Sequence, residues 1–102
     1  MEKLVIMGAG QFGRAAAALI NRESFSVLAA ADRDSRLWGS SMDGIPVMSP
    51  QEAMALNPDT LLISVSGRDR AEAMKSQAES LGFHGKIIFL DVDGTLVDYE
   101  GR

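Results

Sequence analysis

Four short apolar runs constrain this chain more than any other feature: KLVIM (3–7), SVLAAA (26–31), TLLISV (60–65) and KIIFL (86–90). Each is apolar at nearly every position, so a strand built from it must be covered on both faces. The stretches between them carry helical spacing instead. QFGRAAAALINR (11–22) places Phe12, Ala15, Ala16, Leu19 and Ile20 on one face. Ser49-Pro50-Gln51-Glu52 announces a second helix, with Ser49 as N-cap, Pro50 in the first helical position and Glu52 closing a capping box; Asn57-Pro58 ends it. Asp69–Leu81 is the third, with Ala71, Met74, Ala78 and Leu81 on one face and Gly82 as its stop. Strand and helix therefore alternate, which points to a parallel sheet with helices on both sides. The expected architecture is α/β, about four parallel strands in the order 3-2-1-4, half of a doubly wound fold. The residues DRDSRLWGSSMDGIPVMS (32–49) read as loop, with a brief extended piece at Ile45–Met48 and a turn suited to Gly44 and Pro46.

That architecture has a functional consequence. Gly8, Asp32, Ser66 and Asp91 each directly follow an expected strand, and in a parallel sheet such positions share the carboxyl edge. At the first of them stands GAGQFG (8–13), a G-x-G-x-x-G that follows a strand, opens a helix, and has Asp32 after the next strand. Gly8 permits the tight turn, Gly10 lets the backbone approach a pyrophosphate, and Gly13 lets helix pack on strand. Free N–H groups at the helix start attract phosphate. Asp32 is placed to accept hydrogen bonds from a ribose diol. Arg33 offers a stacking or phosphate contact, but a 2′-phosphate beside Asp32 would be repelled, so NAD is favoured over NADP.

Composition removes several other chemistries. There is no cysteine, which excludes disulfides, thiolate catalysis and cysteine zinc sites. One histidine, His84, has no partner for a histidine-rich metal site and reads as a surface residue. The net charge of −4 argues against nucleic acid and anionic membranes as partners. No apolar run approaches the roughly 18 residues of a membrane span, and the N-terminal run is too short for a signal peptide, so a cytoplasmic location is the default expectation. Trp38 reads first as cover for the core edge or an interface, with stacking on an adenine or sugar as the alternative. Arg68 and Arg70 read as a solvated helix face, and Met54 and Met74 as core.

VIMGAGQFGR, AADRDSRLWG, DGIPVMSPQEA, the S-x-S-G-R loop at 64–68 and KIIFL together resemble the Rossmann-like N-terminal domain of bacterial nucleotide-sugar and surface-polysaccharide proteins. These include nucleoside-diphosphate-sugar dehydrogenases or epimerases and sugar O-acyltransferases. The resemblance spans roughly residues 3–90 and implies an NAD or nucleotide-sugar ligand held by Gly8, Gly10, Gln11, Phe12, Gly13 and Asp32, with Ser66 and Gly67 as a second contact. The Tyr-x-x-x-Lys pair that extended dehydrogenases use is absent; the one tyrosine, Tyr99, lies in the tail. A second resemblance sits at the end of the chain. Asp91-Val92-Asp93-Gly94-Thr95 resembles the first motif of haloacid-dehalogenase-type phosphatases, in which Asp91 would be the nucleophile, Asp93 the acid/base, and both would face magnesium. The seven residues after Thr95 hold none of the remaining machinery.

Residues 1–90 are thus expected to form a nucleotide-binding domain and 91–102 a tail or the truncated start of a second domain. Three readings stay open: an NAD- or nucleotide-sugar-binding domain, the N-terminal piece of a phosphatase, and a non-catalytic docking module. Bare edges on so small a sheet lead to the further expectation of a homodimer.

Overall fold

The computed structural model describes residues 2–10, 17–18, 20, 23–64, 68–90 and 96–98. Strand β1 (Glu2–Met7) lies at the centre. It pairs in parallel with β2 (Phe25–Ala31) on one side and β5 (Thr60–Ser64) on the other. Beyond β2 comes β4 (Ile45–Met48), also parallel, and beyond β5 comes the parallel β6 (Lys86–Leu90). Two short antiparallel strands close the edges: β3 (Ser41–Met42) on β4, and β7 (Leu96–Asp98) on β6. The full order among the described residues is β3-β4-β2-β1-β5-β6-β7.

The α/β class and the Rossmann-like parallel sheet follow the sequence expectation, with a corrected strand assignment. The order 3-2-1-4 holds when Ile45–Met48 is the third parallel strand and Thr60–Ser64 the fourth. Lys86–Leu90 is then a fifth strand that pairs with β5, not with β1 as expected. The sequence marks Ile45–Met48 only as a brief extended piece and not as a sheet strand, because it is four residues long and alternates, with Ile45 and Val47 buried and Pro46 exposed. It sits near the sheet margin, where one polar face and a proline are tolerated. Both margins of the described sheet are short: β3 and β7 are two and three residues long, and short edge strands offer little to another chain.

Alternation along β1 builds two cores. Leu4 and Ile6 face one side and Val5 and Met7 the other, all essentially inaccessible to water. Helix α1 (Pro50–Met54) and helix α2 (Arg68–Ser80) contribute Ala53, Met54 and Ala78 to the Val5 side, where Ala71, Met74 and Leu81 also pack. The Leu4 side takes Ala17, from the helical pair Ala17–Ala18, together with Met42, Ile45 and Val47; the rest of the expected 11–22 helix lies outside the described residues, apart from the half-buried Ile20. A bulge in β2 opposite Leu4/Val5 sends both Leu28 and Ala29 to the Val5 side.

Local signals explain the element ends. Ser49 Oγ accepts the Glu52 N–H at 3.2 Å and Glu52 Oε1 accepts the Ser49 N–H at 3.3 Å, the expected capping box. Helix α1 stops at Met54, before Asn57, which takes a left-handed φ of 56°. Asp43 and Gly44, with φ of 51° and 81°, form the two-residue turn between β3 and β4. At the amino edge, Asp59 ties three strands: its carboxylate accepts the Lys3 N–H at 2.9 Å, its own N–H donates to the Lys3 carbonyl, and its carbonyl accepts the Lys86 N–H. Among the described residues no helix is long and apolar enough to cross a membrane.

Candidate functional site

All five parallel strands point their carboxyl ends the same way, so β1, β2, β4, β5 and β6 deliver their following residues to one edge. The first of these, Gly8, has φ 106°, a conformation open to glycine and costly for other residues. Its N–H continues the ladder to the Ala31 carbonyl at 2.7 Å. The chain then turns, and the next amide, that of Ala9, donates to Oδ2 of Asp32 at 2.9 Å. The glycine loop and the acid of the second strand are thereby joined directly.

Asp32 is the node of this edge. Its Oδ1 accepts the Asp34 N–H at 2.8 Å, its own N–H donates to the Met48 carbonyl at 3.1 Å, and its carbonyl accepts the indole N–H of Trp38 at 2.6 Å. One residue thus binds the loop after β1, the end of β4 and the turn after β2. That turn, a 3-10 helix over Ser35–Leu37, is capped by Asp34, whose Oδ1 accepts the Arg36 N–H at 3.0 Å. The Arg36 guanidinium meets the same carboxylate through two bonds of 2.9 Å. Arg36's side-chain hydrogen bonds hold the Asp34 carboxyl below its ordinary pKa, and Asp34 in turn raises that of Arg36. Both are at the surface, so the pair orders the turn more than it stabilises the fold.

Gly10 is exposed, and no described atom lies within 4 Å of where a Cβ would stand. Among the described residues nothing gives a packing reason for a glycine there, and none fills the space beside its backbone. Arg33 is exposed and follows Asp32 directly. Of the residues expected at the site, Gly8, Gly10, Asp32 and Arg33 fall within the described structure, and the first three line one loop junction. Gln11, Phe12, Gly13, Ser66, Gly67, Asp91 and Asp93 lie outside the described residues. Sequence reasoning missed the Ala9 amide and Asp34. The D-x-D spacing of Asp32 and Asp34, with Arg36 two further on, was the available signal, since acidic side chains accept amides two residues ahead.

A concavity of about 460 Å³ opens at the amino edge between Met54, Asn57, Asp59, Leu81, Phe83 and His84. There the Asp59 carboxylate is already taken by the Lys3 amide. The glycine loop and its acid are at the other end of the strands.

A family model described as C2185-like, N-terminal, matches residues 1–89. The chain belongs to that family. No curated protein matches this C2185-like chain in sequence. Among solved structures, it is similar to the Rex-family repressor RSP, at 22% identity over 90% of this chain and 46% of the repressor, with a TM-score of 0.71. The same repressor in complex with β-NADH gives 0.69 at the same identity and coverage. Its complex with β-NAD⁺ and operator DNA gives 0.66 at 22% identity, over 90% of this chain and 51% of that one. A further likeness is to UDP-D-quinovosamine 4-dehydrogenase from Vibrio fischeri, at 20% identity over 95% of this chain and 92% of that one, with a TM-score of 0.73. At such identities the likeness is one of fold. The C2185-like chain spans about half the length of the repressor chains it matches.

One sequence expectation falls here. Nucleic acid had been excluded on the net charge of −4, yet a chain of this fold is seen with NAD⁺ and operator DNA. The exclusion fails because net charge averages over a whole surface, whereas a nucleic acid meets only one patch of it.

Proposed function

We propose that this chain binds NAD(H) at the carboxyl edge of its sheet, with the glycine loop (Gly8, Gly10, Gln11, Phe12, Gly13) on the pyrophosphate and Asp32 on the adenosine ribose. Arg33 flanks the ribose, and Ser66 and Gly67 supply a contact from the loop after β5. The observation that carries the reading is the Ala9 N–H···Oδ2 Asp32 bond of 2.9 Å, which holds loop and acid together as a preformed unit. Each carboxylate oxygen has a further lone pair, so the clamp and a ribose diol are compatible. The open space beside Gly10 gives the ligand backbone access. The neighbours solved with NADH and NAD⁺ support the same choice of cofactor.

A second reading keeps the site and changes the ligand. The Vibrio fischeri dehydrogenase is matched over nearly its whole length and is named for a UDP-sugar. UDP-sugars share the ribosyl pyrophosphate that the loop and acid would hold, which supports a place in sugar-nucleotide metabolism.

Calorimetric titration with NAD⁺, NADH and UDP-sugars separates the two readings. Gly10→Ala is the decisive variant: it should leave the melting temperature unchanged, because no described atom meets the added Cβ. It should weaken binding about tenfold or more, or ~1.4 kcal/mol. No binding of any of these by the wild type at ~mM concentrations, equivalent to only about −4 kcal/mol, would refute the proposal.

A further inference from the structure

Trp38 is the one tryptophan of the chain, and its position is unusual for so large an apolar side chain. It keeps 42% of its surface exposed, so it is not a core residue; its neighbour Leu37 fills the adjacent core instead. Yet it does not hang loosely from a loop. Its backbone N–H closes the 3-10 turn on the Ser35 carbonyl at 3.2 Å, and its indole N–H is fixed to the Asp32 carbonyl at 2.6 Å. The turn beneath it is held by Asp34 and Arg36. An exposed aromatic whose polar edge is pinned is a surface whose orientation is set before anything binds, which lowers the ordering cost of using it.

The anchor point identifies the use. The indole is bonded to the main chain of the very residue whose carboxylate would hold the ribose, and a base lies one glycosidic bond from that ribose. We propose that Trp38 is the stacking platform for the nucleobase of the bound nucleotide. The inference rests on the nucleotide reading above. Ribose and pyrophosphate would be read by hydrogen bonds at Asp32 and the glycine loop, and the base by the indole face. Every base has such a face to offer, so this contact adds affinity with little discrimination between bases.

The test uses the full 102-residue chain, whose single tryptophan makes its emission unambiguous. NAD⁺ and ADP are titrated while binding is followed both by calorimetry and by tryptophan fluorescence. Both ligands should quench the emission along the calorimetric isotherm. Trp38→Ala should lose about tenfold to a hundredfold in affinity. Trp38→Phe, which keeps a ring but not the indole N–H, should stay within about threefold, with stacking on Phe in place of Trp. Melting curves of both variants report whether the fold is intact. If the wild type binds but its emission does not move and Trp38→Ala binds equally well, the platform is refuted while the nucleotide reading stands. If Phe and Ala weaken binding equally, the indole N–H positions Asp32 and the stacking role is refuted. If the wild type binds neither of these ligands nor a UDP-sugar, both inferences fall together.

Discussion

Replacing Asp32 by asparagine tests whether the carboxylate is a clamp for the fold as well as a ligand group. In the wild type its two oxygens each accept a backbone N–H, from Ala9 at 2.9 Å and from Asp34 at 2.8 Å. An asparagine side chain offers one oxygen and one NH₂. Whichever way it turns, one of those two amides faces a donor instead of an acceptor. One hydrogen bond to a charged group is lost outright, about 1.5–3 kcal/mol, and the other loses its charge assistance. The main-chain bonds of residue 32, to Met48 and Trp38, survive the substitution, so the damage is confined to the carboxylate. For a domain of this size each kcal/mol moves the melting temperature by roughly 4–8 °C, giving an expected fall of about 6–24 °C. Urea denaturation followed by far-UV circular dichroism should show the midpoint falling with an unchanged slope, as for a loss of stability without a change in the surface exposed. A variant that melts within about 2 °C of the wild type in the absence of ligand would refute the bridging role.

Three further substitutions probe other joints of the same structure. Gly85→Ala would drive a Cβ into the Asp59 carbonyl, which already accepts the Lys86 N–H, and to 3.0 Å from Phe83; because the obstacle is backbone, we expect a loss of about 1–3 kcal/mol of stability, read as a lower denaturation midpoint, and an unchanged midpoint would show that the 85–86 junction can shift. Ser49→Ala removes the capping box of α1 and should cost about 1 kcal/mol by the same assay, with Glu52→Ala adding little on top because the two act as one unit. Asp34, held below its ordinary pKa of 3.8 by Arg36, should titrate below that value by carboxyl ¹³C NMR and move back up in Arg36→Ala. Since the folded value is the depressed one, whatever the pair contributes is present above pH 3.8 and is lost as pH falls through the folded value, so the two proteins should differ least in strong acid.

Much of this fold was legible because its signals are local or periodic. The doubly apolar runs became β1, β2, β5 and β6, and Ser49, Pro50 and Glu52 became the cap they spell. What failed was the count at the sheet's margin. Ile45–Met48 shows only two buried side chains, Ile45 and Val47, and its identity as a strand depends on pairing with Ala30 and Ala31, residues far away in sequence. Long-range pairing leaves no local mark on four residues. The turn before it lies at Asp43-Gly44, a two-residue hairpin signal, and not at Gly44 and Pro46 as expected, since Pro46 falls inside β4; the strands it joins are too short to show the hairpin by alternation. With Ile45–Met48 not counted as a sheet strand, Thr60–Ser64 is placed beyond β2, on the wrong side of β1, and Lys86–Leu90 takes the place beside β1 that Thr60–Ser64 occupies.

The site divides along the same line. Gly8 and Asp32 could be placed because each directly follows a recognisable strand, and Gly10 because the glycine motif fixes its spacing from Gly8. That the Asp32 carboxylate faces the Ala9 amide, and that its carbonyl carries an indole, depends on how the turn at 33–38 folds back, which no spacing rule specifies. Charge was the weakest guide. A total of −4 describes 102 residues together. The repressor chains of this fold are about twice as long as this one. What a fold of this kind engages is decided by the groups at its carboxyl edge and by whatever adjoins it, and neither enters a net charge.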